Sequence, residues 1–320
     1  MPKKSFVASL PGLANNVPIA RNEVRMAVHK KILIGVDFSD SSRLALRRGG
    51  ALAERAGVAV DVVYVLKELP YESSLDSENF LKWSEATEAA LAEELADFSR
   101  EAFGEEIEAE EEVRVGSPDR ELAAAAGESG ADLILVGGHG KSALKRFFLG
   151  SVAESVVAQA RVPVWVERGE SYQPISSVIL PTDFSANSRR GVLAGLDWAR
   201  WLHVPVILLH IAETRYVPPL SLIDPQDYEK KMQVLAEQHF QKFADGLPLT
   251  GPTVERQLRV GHSTEEIEKF AKSRPGALLI LATRGQGNSM RSLGSVASQV
   301  LRHVAGPTLL IPPNDFSAPF

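Results

Sequence analysis

Cysteine is absent from the 320 residues of this chain. Disulfide frameworks, thiolate nucleophiles and cysteine-based metal sites are therefore excluded. No apolar run approaches the roughly 20 residues that a membrane-spanning helix needs. The lysines near Met1 are followed by Pro11 and two asparagines before the apolar core of a signal peptide can form. We therefore expect a cytoplasmic protein.

An excess of positive charge is also missing, because the formal net charge is −6. This charge gives no reason to expect nucleic acid or an anionic membrane surface as a partner. The sequence contains no His-x-x-x-His spacing and no acidic cluster that indicates a protein-built metal site. Among the seven histidines no pairing suggests a Ser-His-Asp triad, so no catalytic residue is assigned.

Short apolar runs alternate with amphipathic segments from Lys31 onward. The pattern predicts a first helix that ends at Gly57, a second helix from Ser84 to Phe103, and a polar edge strand after it. A third helix is predicted with Ser117 as its cap and Pro118 at its first position. Strands that alternate with helices in this way indicate a doubly wound α/β fold with right-handed crossovers.

The second half of the chain repeats the first at a nearly constant spacing of 144 to 146 residues, which indicates two copies of one domain. We predict domains at residues 29–170 and 174–313, joined by a short polar segment and preceded by a flexible extension over residues 1–28. We hypothesise that Met26 is the true or an alternative start. The matched pairs are Asp37 with Asp183, Val65 with Ile211, Gly116 with Gly261, Gly140 with Gly285, and Gly150-Ser151 with Gly294-Ser295.

A glycine-dense stretch follows the fourth predicted strand, between Leu133 and Ala160. A buried strand that leads through a glycine turn to a helix N-terminus can direct unpaired backbone N–H groups outward, which suits a phosphate. Glycine also permits positive φ and close approach of the backbone to a ligand. Function is therefore expected here.

Two nucleotide motifs fit this stretch incompletely. A P-loop would need glycine where Leu135 stands, so that interpretation fails. A dinucleotide fingerprint fits Gly138, Gly140 and Ala143, with Glu167 as its acidic residue. That motif belongs on the first strand of its fold, however, and it leaves Gly150-Ser151 without a role.

A third motif includes every glycine: Gly137, two residues, Gly140, nine residues, then Gly150 followed by Ser151. This spacing resembles the nucleotide-binding motif of the universal stress protein family. The resemblance covers residues 30–312, with one family domain in each half. The alternative, that these are only turn glycines and a serine helix cap, stays open.

The resemblance implies two flavodoxin-like domains of the adenine nucleotide alpha hydrolase-like type, each with a parallel five-stranded sheet of order 3-2-1-4-5. It also implies ATP in the first domain, with Asp37 near the adenine and ribose and the Val65 backbone at the adenine edge. Asp37 as a helix cap and Val65 as a core residue remain the alternatives. The expected nucleotide-binding residues are Gly35, Val36, Asp37, Val65, Gly137, His139, Gly140, Gly150, Ser151 and Val152.

The second domain is expected to bind ATP weakly, to bind another nucleotide, or to keep only the fold. Ala282 replaces the first motif glycine, and eight residues rather than nine precede Gly294. The weaker candidates are Pro181, Thr182, Asp183, Ile211, Gly285, Gly294, Ser295 and Val296.

Basic residues in both loops fit a polyphosphate, with Mg²⁺ held mainly by phosphate oxygens and water. His139 and Arg284 occupy equivalent places between the turn glycines, and Lys141, Lys145, Arg146 and Arg291 add charge. We expect a cytoplasmic stress-response protein that acts as a nucleotide-dependent sensor or regulator. We also expect its two halves to pair through their fifth strands, and a homodimer is plausible.

Three other functions stay open. A slow ATPase or autophosphorylating enzyme predicts turnover, and a hydride-transfer protein predicts NAD binding at the glycine turn. A structural or ligand-carrying module predicts an apolar pocket in the second half, where Trp198 and Trp201 supply apolar surface.

Overall fold

The computed structural model describes residues 31–67, 77–104, 107–138, 149–213, 225–283 and 293–313. The predicted flexible extension over residues 1–28 lies outside them. The described residues form strands and helices in strict alternation within each half. The strands are β1 (Lys31–Val36), β2 (Ala59–Leu66), β3 (Ala109–Val115), β4 (Leu133–Gly137), β5 (Val164–Glu167), β6 (Ser177–Thr182), β7 (Val206–Ala212), β8 (Val254–Val260), β9 (Ala277–Ala282) and β10 (Thr308–Ile311). The helices are α1 (Asp40–Ala56), α2 (Ser77–Phe103), α3 (Pro118–Ser129), α4 (Ser151–Gln159), α5 (Ala186–Leu202), α6 (Pro225–Asp245), α7 (Ser263–Lys272) and α8 (Ser295–His303).

The strands form one ten-stranded sheet of order β3-β2-β1-β4-β5-β10-β9-β6-β7-β8. Read from its outer edge inward, each half has the order 3-2-1-4-5, which confirms the predicted fold. Strands within a half are parallel, whereas β5 and β10 pair antiparallel. We call this central pairing the seam. The polar strand β3 lies at an edge of the sheet, as predicted.

Both faces of the sheet are covered, so its strands are apolar on both sides. In β1, Ile32 and Ile34 pack beneath α1 and α2, while Leu33 faces α3 and α4. Each of the two resulting hydrophobic layers contains residues from both halves. The core is therefore continuous across the seam rather than divided between two separate domains.

Helix boundaries follow the predicted signals with two differences. Helix α1 ends at Gly57 in the left-handed conformation (φ 66°), as expected for a glycine C-cap. Helix α2 begins at Ser77, earlier than the predicted Ser84. Ser117 precedes α3, but its hydroxyl donates to Asp119 Oδ1 (2.5 Å) and does not cap a backbone amide.

A buried ion pair stabilises the first half beside the seam. Arg48 Nε of α1 lies 3.0 Å from Glu167 Oε2 at the end of β5, and both side chains are almost fully buried. The indole of Trp165 also donates to Glu167 (2.7 Å). Arg48 further donates to the carbonyl of Gln173 (2.6 Å) and lies over the ring of Tyr172, so it also fixes the segment that joins the halves.

The second half replaces this polar network with apolar residues. Ala194 stands where the first half has Arg48, Leu309 where it has Trp165, and Ile311 where it has Glu167. Trp198 fills the adjoining space, with its ring centroid 5.7 Å from that of Trp165. At these equivalent positions the first half therefore has a polar network and the second half has apolar residues.

Removing one member of the buried pair should be far more costly than removing both. Arg48→Leu leaves the Glu167 carboxylate buried without its cation, and we expect the free energy of unfolding to fall by about 3–5 kcal/mol. Arg48→Leu/Glu167→Leu should recover much of that loss. Urea denaturation measures both, with Lys272→Ala, which breaks an exposed pair with Glu268, as the control. A double variant no more stable than Arg48→Leu would contradict this account.

Candidate functional site

The predicted nucleotide-binding residues of the first half that the structure describes lie at the carboxyl ends of the strands, on one side of the sheet. β1 is the parallel neighbour of β2 and of β4, with Val36 in register with Tyr64 and Gly35 with Val136. Asp37, Val65 and Gly137 therefore stand together at the carboxyl ends of three adjacent strands, where open α/β sheets bind ligands. We call this place, with the start of α4, the first corner.

Asp37 is held in a tight turn by the residue that caps α1. Its Oδ1 accepts hydrogen bonds from the backbone N (3.1 Å) and the hydroxyl (2.5 Å) of Ser39. Ser39 in turn accepts from Ser42 N (3.2 Å) and is the helix cap. The alternative that Asp37 itself caps α1 is therefore wrong. No described residue donates to its Oδ2, and the half-buried carboxylate can accept hydrogen bonds from a sugar or a base.

The residue after Asp37 adopts a conformation that is unusual for a bulky side chain. Phe38 has φ 59°, in the left-handed region. Its ring packs against Tyr64 (centroids 4.7 Å apart) and Phe98 (5.3 Å), which stabilises the turn. Phe184 repeats the conformation at φ 64° in the second half. Aromatic packing therefore orients the aspartate that follows the first strand of each half.

The turn glycines are needed for close packing within the chain. A Cβ on Gly137 would lie 2.7 Å from Ser42 N, and one on Gly138 would lie 2.4 Å from Cγ of Arg168. Neither glycine has positive φ. The expectation that this cluster serves positive φ is therefore wrong for these two residues. Gly35 is equally confined, because its Cβ would lie 2.7 Å from Leu122.

The start of α4 forms the other side of the first corner. Gly150 N donates to Gly138 O (2.8 Å), so the two ends of the glycine loop are joined. Gly150 has no side chain to cap α4. The exposed Ser151 and the half-buried Val152 begin the helix, whose first-turn amides and dipole favour an anion. The predicted loop residues His139, Gly140, Lys141, Lys145 and Arg146 lie outside the described residues.

The equivalent place in the second half, with Asp183, Ile211 and the start of α8, is called the second corner. Its aspartate accepts fewer hydrogen bonds than Asp37 does from the described residues. Among the described residues, only Ser185 N donates to Asp183 Oδ1 (3.0 Å), and Asp183 is exposed. The Thr182 hydroxyl instead accepts from Phe184 N (3.1 Å). Pro181, Thr182 and Ile211 occupy the strand ends, and Ser295 and Val296 begin α8 after Gly294. Gly285, Arg284 and Arg291 lie outside the described residues.

The replacement of a motif glycine by Ala282 is matched elsewhere in the second half. Ala282 packs against Gly191 of α5, where a Cβ would lie 3.0 Å from Ala282 N. The first half has Ala45 on its helix at the position of Gly191. The glycine is therefore on the strand in the first half and on the helix in the second. The shorter loop also ends on an equivalent bond, from Gly294 N to Thr283 O (2.7 Å). Neither change alters the flanking frame.

His210 takes the place that Tyr64 has in the first half. Its Nδ1 donates to the carbonyl of Thr182 (2.8 Å), and its ring lies 4.0 Å from that of Phe184. Burial lowers the pKa of His210, although the Thr182 carbonyl and Asp183 favour its cationic form and His239 opposes it. The second corner therefore contains a half-buried histidine whose surroundings favour the neutral form.

Two expectations from the sequence are corrected here. Trp198 and Trp201 do not offer an open apolar surface: Trp198 is fully buried beside Trp165, and the Trp201 ring lies under Arg55 of the first half. Glu167 is committed to its buried ion pair and cannot bind a ribose, which removes the dinucleotide interpretation. Sequence reasoning also missed Ser39, although the Asp-Phe-Ser triplet in both halves could have indicated it.

Two kinds of feature are absent from the described part of the chain. No helix there is long and apolar enough to cross a membrane. No group of three or more histidine, aspartate or glutamate residues there could hold a metal ion.

Comparison with known proteins gives one consistent family. The model of the universal stress protein family matches residues 29–168 and 174–312. A universal stress protein of Mycolicibacterium smegmatis is 25% identical over 304 residues, which are 91% of this chain and 99% of the relative. The crystal structure of a universal stress protein from Archaeoglobus fulgidus superposes with a TM-score of 0.60 at 21% identity, and the match covers 89% of this chain and 97% of that one.

His210 should make the protein less stable in mild acid. Because its pKa is lowered on folding, the unfolded chain binds more protons, and the stability present above the ordinary histidine pKa of about 6.5 is lost as the pH falls below it. His210→Tyr, which copies the first half, should show a smaller fall in Tm between pH 7.5 and 5.5 than the wild type. His262→Gln, at an exposed histidine, is the control; an equal fall in wild type and His210→Tyr would refute the prediction.

Proposed function

Because the chain belongs to the universal stress protein family and carries two tandem copies of its domain, we propose that it is a stress-response protein that binds ATP at the first corner. In this role it acts as a nucleotide-dependent sensor or regulator. Binding changes the stability of the loaded half and so its contacts with partners. The domain limits that we propose are residues 29–170 and 174–313.

The observation that supports this proposal is that the Asp37 carboxylate, whose orientation is fixed, lies close to the N-terminus of α4, which has no side-chain cap. Ser39 fixes Oδ1 of Asp37, and no donor among the described residues contacts Oδ2. The start of α4 is tied to the same strand end through the bond from Gly150 N to Gly138 O. A nucleotide has a sugar and base that donate hydrogen bonds and phosphates that accept them. The first corner offers the complementary groups in that arrangement.

The ends of the first and second strands complete the adenosine side. Val65 lies at the end of β2 with its side chain buried, so its backbone is the part that can pair with the adenine edge. Gly35 and Val36 are the last two residues of β1 before Asp37. On the phosphate side, the amides of Ser151 and Val152 are the proposed donors, with His139 and Gly140 from the loop. Mg²⁺ would be held by phosphate oxygens and water.

The second corner is proposed as the weaker site. Asp183 is more exposed than Asp37 and accepts one fewer hydrogen bond. Its orientation is therefore less fixed before a ligand arrives, and ordering it costs binding free energy. Gly285, Gly294, Ser295 and Val296 are the matching residues on the phosphate side.

The proposal extends to the state of the protein in the cell. We propose that it is cytoplasmic, that the seam holds the two halves together in solution, and that two chains can form a homodimer. Binding rather than turnover is the central activity. Slow hydrolysis or autophosphorylation remains a second possibility that a phosphate-release assay decides.

Equilibrium dialysis with ATP and Mg²⁺ tests the function directly. We expect one tight site per wild-type chain. Asp37→Ala should weaken ATP binding at least about tenfold, because a hydrogen bond to a charged group contributes about 1.5–3 kcal/mol. The matched change Asp183→Ala should leave the tight site intact.

Asp37→Asn removes the negative charge but keeps the turn, because the asparagine side-chain oxygen can still accept hydrogen bonds from Ser39. The variant therefore separates the effect of the charge from the effect of the turn. Two tight ATP sites per chain would contradict the ranking of the corners. Tight binding that survives Asp37→Ala and disappears in Asp183→Ala would place ATP in the second half and contradict the proposal.

A further inference from the structure

The side chain of Arg168 extends from the first half into the second. It follows β5, and its guanidinium Nη1 donates to the carbonyls of Leu301 (2.8 Å) and Val304 (2.5 Å) at the C-terminal end of α8. Its Nη2 lies 3.4 Å from the carbonyl of Arg302. The last carbonyls of a helix lack intrahelical partners and carry partial negative charge, so a cation is well placed there.

The burial of Arg168 shows how closely it is held. Only 3% of the residue is exposed. Desolvation lowers the pKa of the guanidinium to about 10, which still leaves it protonated at neutral pH. A buried cation is tolerated only with strong hydrogen-bond partners, and the α8 carbonyls are those partners. The contact is therefore difficult to exchange for another.

The stem of the same side chain presses on the glycine turn of the first corner. Cγ, Cδ and Nε of Arg168 lie 2.4, 2.9 and 3.0 Å from the position that a Cβ of Gly138 would take. Gly138 N donates to the carbonyl of Glu167 (2.9 Å), and Gly138 O accepts from Gly150 N (2.8 Å). Gly138 is thus bonded to the start of α4 on one side and packed against Arg168 on the other.

The second half has no counterpart of this arrangement. Thr283 stands where the first half has Gly138, and Pro312 stands where it has Arg168. Proline has no side chain that could cross the seam. The link therefore runs in one direction only, from the first corner to α8.

We propose that Arg168 is a positioning residue that sets the Gly138 turn of the first corner from across the seam, so that ATP bound there and the docking of α8 stabilise each other. This inference rests on the proposed ATP site. Gly138 is a glycine because the Arg168 stem occupies the place of its side chain. Helix α8 starts at the second corner, and its C-terminal end contacts Arg168 beside the first corner. A change at the first corner can therefore alter the docking of α8.

A double-mutant cycle tests the contact without any ligand. Gly138→Ala should lower the Tm by at least about 3 °C in the wild type, because the new methyl group displaces the Arg168 stem. In an Arg168→Ala background all three close atoms are gone, and the same change should cost little. Equal Tm losses in both backgrounds would overturn the proposed contact.

ATP binding tests the coupling. Arg168→Ala should weaken ATP binding about fivefold or more, the lower range of measured couplings between sites. Arg168→Lys, which keeps the charge, should restore part of it. Arg55→Ala is the matched control, since Arg55 also crosses the seam, to the Trp201 carbonyl (2.6 Å), at the far end of α1. Its ATP affinity should equal that of the wild type.

Hydrogen exchange gives a readout that simple destabilisation would not produce. In an Asp183→Ala background, ATP should slow amide exchange at Leu301 and Val304, and Arg168→Ala should abolish this effect even at saturating ATP. Unchanged ATP affinity in Arg168→Ala, or protection of α8 that persists without Arg168, would overturn the coupling alone. A wild-type chain that binds no ATP would overturn the proposed function as well, so the two failures are distinguishable.

Discussion

The antiparallel pairing of β5 with β10 is the constraint on which the rest of the structure depends. Each half alone would leave its fifth strand as an unpaired apolar edge, which is prone to association with other chains. Pairing the two edges removes both and makes one ten-stranded sheet. It also reverses the strand direction at the seam. The carboxyl ends of the two halves, and with them the two corners, therefore lie at opposite ends of the sheet.

This reversal explains why α8 can report on the first corner. A helix that begins at the second corner runs back across the sheet, and its C-terminal end comes near the strand ends of the first half. Arg168 uses that proximity, because its stem packs on the Gly138 turn while its guanidinium caps α8. On the other face of the sheet, Arg48 and Glu167 fix the joining segment beside the same strand. β5 thus connects the first corner to both the linker and the second half.

The sequence predicted the fold well because fold depends on patterns that local residues carry. The polar edge strand, Gly57 as a helix end and the duplication are all visible in periodicity and turn residues. The strand order, and with it the strand ends that meet, was implied by the resemblance to the universal stress protein family. It could not predict that Phe38 adopts positive φ, or that Gly138 makes room for Arg168, because each depends on a long-range contact. Arg48 was missed for the same reason, because its partner Glu167 lies on another element. The contacts of Ser39 are local, and the repeated Asp-Phe-Ser triplet could have indicated them.

The comparison of the two corners limits what a glycine motif can say about binding. Gly137 is confined by α1, and its replacement by Ala282 is offset by Gly191 on the facing helix. These positions therefore report how closely strand and helix pack, whether or not a ligand is present. The aspartates differ in a way that bears on the ligand. Ser39 donates twice to Asp37, whereas Ser185 donates once to an exposed Asp183. Preorganisation of that carboxylate, rather than the count of glycines, is the physical basis of our proposal that the first corner binds ATP more tightly than the second.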